Sequence, residues 1–305
     1  MVQVMTSLVL GAMNFGTLTD ERTSFALLDR FVDAGGTVID TANCYAFWND
    51  PGGRGGQSER LLGRWLAARP GLRDRLTLAT KAGAEPVGPG EWPASREGLS
   101  APALKEALTL SLGRLGIDHV DLFWTHMEDR SVPLEETAGA LAGLVADGLT
   151  GRVGVSNHPT WRVERARALG APYSALQLRY SYLTPRPWTR VEGVNHRFAW
   201  VTDETLDYVA SEGLDLWAYT PLISGSYVRP ERPFPEAYDH PDTTRRLAAL
   251  AQVAEGLGAT RNQVVLAWLL AKGVSPIIGP STVAQLDELL DPPRLGAAEL
   301  AALDV

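Results

Sequence analysis

One unit recurs along this chain: a short apolar run, a loop, then an amphipathic stretch. The apolar runs lie at 8–10, 37–40, 76–80, 120–124, 153–156, 176–178, 214–219 and 275–278. They are short, and several are rich in β-branched residues, which suits strands buried on both faces. Helical patterns fill the gaps at 21–34, 58–68, 103–115, 134–147, 161–169, 205–212 and 244–257. In the first of these, Phe25, Leu28 and Val32 share a face, Asp20 stands at the N-cap position and Gly35-Gly36 supplies a stop. Ser100 followed by Pro102 reads as a second N-cap with proline in the first turn. Strand-like runs alternating with helices imply parallel βαβ units. Over 305 residues this pattern predicts an α/β fold, a closed (β/α)8 or TIM barrel, as one domain spanning 1–305.

The competing α/β architecture is an open, doubly wound dinucleotide-binding sheet. That fold wants a G-x-G-x-x-G turn after its first strand. Here the first strand is followed by "GAMNFG", which lacks the spacing. The other glycine-rich stretch, "GGRGG" at 52–56, follows no strand and reads as a flexible loop.

Bulk properties exclude several classes of function. The chain is 45% hydrophobic and 21% charged, with a formal net charge of -8. An acidic chain without a basic cluster repels phosphate backbones, so nucleic acid is not an expected partner. A single cysteine, Cys44, cannot build a disulfide framework, which points to a reducing cytoplasm. The first residues, "MVQVMTSLVLGAMNFG", do not have the pattern of a signal peptide. No apolar stretch approaches the roughly 20 residues needed to span a bilayer, so a membrane is not expected either.

In a barrel of this kind, the loops at the C-terminal ends of the strands build the active site. Polar residues at those ends are therefore informative. Asp40 ends the second strand in "VIDTANCY" and Tyr45 follows it. Lys81 ends the third in "LATKAG", and His126 the fourth in "FWTHMED". Ser156 and Asn157 end the fifth, Gln177 lies in the sixth, and Tyr219 ends the seventh. Taken singly, each has an ordinary structural explanation: a turn or cap for Asp, a solvated charge for Lys, packing for His and Tyr. Their convergence at one end of successive strands is what carries weight. A free phenol has a pKa of about 10, and a neighbouring ammonium lowers it. Lys81 supplies that charge, and Asp40 holds Lys81 in place. His126 orients a carbonyl and stabilises developing negative charge. Tyr45 then serves as general acid in reduction, or as base in alcohol oxidation. No side chain supplies a hydride, so a cofactor must.

The segments "GAMNFG", "VIDTANCY", "LATKAG", "THMED", "GVSNH", "YTPL" and "IIGPSTVAQLDEL" resemble the signature stretches of the aldo-keto reductase superfamily, in its order and over nearly the whole chain. The resemblance implies NAD(P)H-dependent reduction of an aldehyde or ketone to an alcohol. It places Asp40, Tyr45, Lys81 and His126 on the catalytic tetrad. It places Ser156, Asn157 and Gln177 on the residues that hydrogen-bond the nicotinamide carboxamide, and Met13 and Asp40 among the cofactor-binding residues. Tyr219 falls on the aromatic that stacks on the nicotinamide ring, and Leu222, Ser224 and Gly225 on the loop covering the pyrophosphate, with Thr220 a further cofactor-binding residue. Gly279, Ser281, Gln285 and Glu288 fall on the segment holding the adenosine end. The implied cofactor is NADPH.

This sequence departs from the family pattern in two places. The segment after the eighth strand has Ser281 and Gln285 but no Lys or Arg to meet a 2′-phosphate. A charge-assisted contact worth about 1.5–3 kcal/mol is thereby lost. The helix start near Thr282 still offers backbone donors. NADPH is therefore favoured only modestly, and NADH is possible. The N-terminal hairpin of the family is shortened, with only residues 1–6 preceding the first strand-like turn.

The substrate is a small-molecule carbonyl. Phe15, Trp48, Trp92, Trp188 and Trp200 are the expected pocket walls, with Phe47, Trp124, Tyr182, Phe198 and Tyr227 as further aromatic candidates. The stretch 184–202 is longer than a usual connection and mixes aromatics with Arg186, Arg190, His196 and Arg197. That content favours a sugar-like or aromatic natural-product carbonyl over a small aliphatic aldehyde. The alternative is an NADPH-binding regulatory subunit resembling channel-associated β subunits, with slow or no turnover. A Schiff-base aldolase is disfavoured because Asp40 beside Lys81 opposes a neutral amine. No metal is expected, since His119, His126 and His158 show no H-x-H pairing on one strand.

Overall fold

Eight short strands close on themselves because each is apolar on both faces and must be covered on both. They are β1 (Val9–Gly11), β2 (Val38–Asp40), β3 (Thr77–Ala82), β4 (Val120–Thr125), β5 (Thr150–Ser156), β6 (Tyr173–Arg179), β7 (Asp215–Tyr219) and β8 (Val274–Ile278). The structure is a computed structural model that describes residues 6–88, 92–191 and 198–304. Every neighbouring pair is parallel, and β8 returns to β1 with Val9 opposite Ile277 and Leu10 opposite Ile278. This is the (β/α)8 barrel that the alternation of runs predicts.

The helices are α1 (Glu21–Asp33), α2 (Gln57–Ala67), α3 (Ala101–Leu115), α4 (Leu134–Ala146), α5 (Thr160–Ala168), α6 (Asp203–Glu212), α7 (Pro241–Leu257), α8 (Arg261–Ala271), α9 (Val283–Leu289) and α10 (Ala297–Leu303). Their starts follow side-chain chemistry. The Asp20 carboxylate accepts from Thr23 N, and Ser100 caps α3 with Pro102 in its first turn. Sequence periodicity does not reveal α8. Seven of its eleven residues are buried, so it has no polar face to set a phase.

The barrel has two cores. Leu10, Ile39, Leu78, Phe123 and Leu176 point outward to the helices. Val9, Ala79, Leu122, Trp124, Ala175 and Trp217 fill the interior. Gly154 leaves room there for the Trp124 indole, since a Cβ at this position would lie 2.3 Å from it. The two-residue period of a strand carries each interior row upward to a polar residue: Ala79 to Lys81, Trp124 to His126, Ala175 to Gln177, Trp217 to Tyr219. The packed interior thus ends in a polar layer at the C-terminal mouth.

"GGRGG" is not a loose loop. Gly55 N donates to Glu85 Oε1 at 2.9 Å, and Gly56 N donates to Tyr45 O at 2.9 Å. A Cβ on Gly55 would lie 2.4 Å from Asn43 O and Cys44 Cα. The glycines let this segment pack directly on the backbone that carries Tyr45, then open α2 from Gly56 at φ +96°. Residues 1–5, where the shortened hairpin is expected, lie outside the described residues, as do His196 and Arg197.

Candidate active site

Lys81 is fully buried and sits at the centre of a chain of hydrogen bonds. Its ammonium donates to Asp40 Oδ2 in a very short contact, to Thr41 O at 2.8 Å, and to the Tyr45 hydroxyl at 3.2 Å. Gln177 Nε2 donates to the other carboxylate oxygen, Asp40 Oδ1, at 3.1 Å. The His126 ring stands beside Tyr45, 5.9 Å between centroids and nearly perpendicular at 79°. Its Nδ1 lies 3.5 Å from Cys44 Sγ.

The electrostatics differ from the sequence expectation in one respect. Burial pushes the Tyr45 phenol well above its usual range, and the Asp40 carboxylate pushes the same way. The ammonium that was expected to lower it is shared with Asp40 and Thr41 O. Tyr45 therefore holds its proton. Burial, with the Lys81 charge behind it, pushes His126 down to about 3, so the imidazole is neutral. Burial also raises the Cys44 thiol, which stays protonated.

A second layer fixes these groups. Glu59 is fully buried, accepts from Thr80 Oγ1 at 2.6 Å, and pairs with Arg114 at 2.9 Å. Ser58 joins the Thr41 hydroxyl at 2.7 Å and donates to Ala12 O at 2.8 Å. Glu97 accepts both hydrogen bonds of the Asn43 amide, at 2.9 and 3.0 Å. The loop from 41 to 45 is thus held from three sides.

Beside it, Asn157 stands at φ +58°. Its Nδ2 donates to His126 O at 3.0 Å and to Ser156 Oγ at 3.1 Å. Tyr219 donates its hydroxyl to Asn157 Oδ1 at 2.8 Å. After β7 the backbone turns tightly, with Thr220, Ile223, Ser224 and Gly225 all at positive φ. For β-branched Ile223 at φ +46° this conformation costs about 1–3 kcal/mol, which the surrounding structure must offset. The turn brings Leu222, Ser224 and Gly225 to one cavity.

That cavity, about 720 Å³, lies over the barrel mouth. At one end it is lined by Met13, Phe15, Asp40, Tyr45, His126, Ser156, Asn157, Gln177 and Tyr219, and at the other by Gly279, Ser281, Gln285 and Glu288. Lys81 lies beneath the surface, behind Asp40 and Tyr45. Trp48 and Trp92 line the Tyr45 end, and Phe47 bridges them at centroid distances of 5.2 and 5.4 Å. The other two expected walls are elsewhere. Trp188 is fully exposed and is not part of the lining, since its side chain packs against nothing that would hold it at the cavity. Trp200 lies behind the lining, stacked on the Arg179 guanidinium at 5.1 Å. Trp124 packs inside the barrel, Tyr182 and Tyr227 lie in the outer core, and Phe198 sits against Arg130.

Among the lining residues that escape the sequence reading are Arg179, Arg229, Arg232 and Asn262. Arg179 follows Gln177 by one strand period and was recoverable had β6 been extended by one residue. Arg229 and Arg232 come from the loop after Gly225, and Arg232 donates to Ser224 O at 3.2 Å. Asn262 lies in the first turn of α8, whose start the Thr260-x-x-Gln263 capping box could have signalled. Basic groups absent from the segment after β8 thus reach the cavity from the loop after β7. Among the described residues no group of His, Cys, Asp and Glu is arranged to hold a metal ion, and no helix is long and apolar enough to cross a membrane.

Residues 7–304 match the aldo/keto reductase family. The chain belongs to that family. Its relatives include norsolorinic acid reductase of Emericella nidulans, 35% identical over 92% of this chain and 72% of the relative. Another is 6-dehydroglucose reductase of Novosphingobium aromaticivorans, 31% identical over 86% of this chain and 77% of that one. A thermostable aldo-keto reductase crystallised with the inhibitor epalrestat superposes with a TM-score of 0.76 at 27% identity, covering 98% of this chain and 94% of the other. The protein is therefore an oxidoreductase of the carbonyl-reducing kind.

Proposed function

We propose that the protein reduces an aldehyde or ketone to an alcohol with a reduced nicotinamide cofactor, Tyr45 giving the proton. The observation that supports this most is the buried chain Gln177–Asp40–Lys81–Tyr45, which ends on a phenol facing the cavity beside a neutral His126.

The cavity fits the cofactor. Ser156, Asn157 and Gln177 would hold a carboxamide, Tyr219 would face the ring, and Arg229 and Arg232 would meet phosphates beside Leu222, Ser224 and Gly225. When bound, it supplies the hydride. Those arginines would serve NADPH and NADH alike, since both carry the pyrophosphate, so NADPH is favoured only modestly and NADH is accepted.

This chain's own residues handle the proton. The neutral imidazole of His126 donates a hydrogen bond to the substrate oxygen and orients it. Negative charge developing on that oxygen makes it a stronger base than a phenolate. The raised phenol of Tyr45 still gives up its proton to such a base. Lys81 stabilises the phenolate left behind, and Asp40 keeps the ammonium charged and in place. Read in reverse, the same groups oxidise an alcohol.

The aromatic wall of Phe47, Trp48 and Trp92 favours an aromatic or sugar-like carbonyl over a small aliphatic one. The names of the two relatives, for norsolorinic acid and 6-dehydroglucose, are in keeping with that class. Consumption of NADPH with 4-nitrobenzaldehyde, abolished by Tyr45→Phe, is the expected result. Turnover that survives Tyr45→Phe undiminished defeats the proton-donor assignment. Equal kcat/KM for aromatic and short aliphatic aldehydes defeats the substrate class.

A further inference from the structure

A neutral imidazole carries its proton on one ring nitrogen and accepts on the other, so what faces Nδ1 of His126 decides what Nε2 can do. Nδ1 lies 3.5 Å from Cys44 Sγ, within reach of a hydrogen bond involving sulfur. Nε2, at the far end of the ring, has no protein partner among the described residues. It is not sealed off, so it opens on the cavity that His126 lines.

The direction of the Cys44–His126 hydrogen bond follows from the two groups. Burial raises the Cys44 thiol, and the Glu85 and Glu97 carboxylates push the same way, so the sulfur keeps its proton. Burial holds the His126 ring neutral down to about 3. Between two neutral groups, the unprotonated imidazole nitrogen is a good acceptor and the thiol sulfur a weak one. The thiol therefore donates and Nδ1 accepts. The reverse arrangement would spend the ring proton on sulfur and turn a bare lone pair toward the cavity.

The sulfur is also a fixed point. Cys44 is 3% exposed and packs with Ala42, Ala84 and Met127. Its backbone oxygen accepts from Phe47 N at 2.9 Å. Gly55 lies so close that a Cβ there would stand 2.4 Å from Cys44 Cα. The residue before Tyr45 thus cannot swing away from His126.

We propose that Cys44 is a positioning residue: its S–H donates to His126 Nδ1, which keeps the ring proton on Nε2 and aims it at the substrate oxygen. The proposal rests on the carbonyl-reduction reading above. Without the thiol, Nδ1 is free to take the proton. A ring that presents a lone pair to a carbonyl oxygen repels it instead of donating to it. The Nε2–H contact strengthens as negative charge develops on that oxygen, so its loss falls on kcat more than on binding.

The test combines nitrogen NMR of ring-labelled histidine, with His126 assigned by His126→Gln, and kinetics with 4-nitrobenzaldehyde. The wild-type ring is expected to be protonated at Nε2. Cys44→Ala and Cys44→Val, which lack a donor, are expected to shift protonation toward Nδ1. Both should lower kcat about fivefold, the scale of one hydrogen bond, with the Kd for NADPH unchanged. Cys44→Ser, which keeps a donor on a slightly shorter arm, is expected to recover most of kcat and the Nε2 signature. A wild-type ring protonated at Nδ1 overturns the proposal without any variant. So does a Cys44→Ala protein with wild-type ring shifts, or a Cys44→Ser protein as slow as Cys44→Ala. Wild-type protein that turns over no carbonyl overturns the reductase reading, while the nitrogen shifts still decide whether Cys44 sets the ring.

Discussion

The Lys81 ammonium and the Asp40 carboxylate form a fully buried ion pair at the barrel mouth, and the same ammonium reaches the Tyr45 hydroxyl at 3.2 Å. One charge thus serves the fold and the site together. Replacing either partner disturbs both, and the two effects can be separated.

Lys81→Met leaves the Asp40 carboxylate buried without a counter-charge. The expected loss is about 3–5 kcal/mol of stability, because an uncompensated buried ion is costly. The double variant Lys81→Met with Asp40→Leu removes that charge and is expected to recover most of the melting temperature. Its kcat stays low, by about 10²–10⁴, because no ammonium faces the phenolate. Thermal unfolding and steady-state kinetics on the three proteins check this.

His126 makes stability depend on pH with a definite sign. The unfolded chain takes up a proton at the ordinary 6.5, whereas the folded protein keeps the ring neutral down to about 3. Between those values the unfolded state holds one more proton, so stability falls as pH drops through this window. Above 6.5 the ring contributes no slope. Urea denaturation at several pH values should show a steeper acid limb in the wild type than in His126→Gln. Equal limbs would disprove the assignment. Turnover should show no inflection near 6.5 from this ring.

Gly55→Ala drives a methyl into the backbone at Asn43 and Cys44, 2.4 Å away. Neither neighbour is a flexible side chain, so the loop carrying Tyr45 has to shift. Overpacking of this kind costs about 1–3 kcal/mol. A drop in kcat larger than Gly52→Ala produces is the expected outcome, since a Cβ at Gly52 meets only the Asp50 side chain at 3.0 Å.

Arg229→Met is expected to raise the Kd for NADPH about tenfold, the loss of one charge-assisted contact. The wild-type Kd should rise with added salt, and the variant's should rise less. Calorimetric titration at two ionic strengths measures both.

Much of this protein is legible in its sequence because a buried parallel strand must be apolar on both faces and short. Eight such runs between amphipathic stretches leave few alternatives, and parallel pairing of β1 to β8 follows. Asp40, Lys81, Gln177 and Tyr219 are legible for a related reason. A polar residue at the end of an apolar strand stands out, and the two-residue period says which face it takes. Helix α8 escapes a reading by periodicity because seven of its eleven residues are buried; the Thr260-x-x-Gln263 capping box is the one local signal of its start.

What only the tertiary structure decides is which distant groups meet. Sequence places Lys81 beside Tyr45, but folding shares its ammonium with Thr41 O and buries the phenol, reversing the expected direction of the Tyr45 shift. Sequence shows no basic residue after β8, but the loop after β7 turns back and brings Arg229 and Arg232 to the cavity. Trp188 and Trp48 look alike in the chain, yet one is fully exposed and the other lines the site. Periodicity is a local property that a chain segment carries with it. Proximity between segments more than a hundred residues apart is set by closure of the barrel, and no local pattern encodes it.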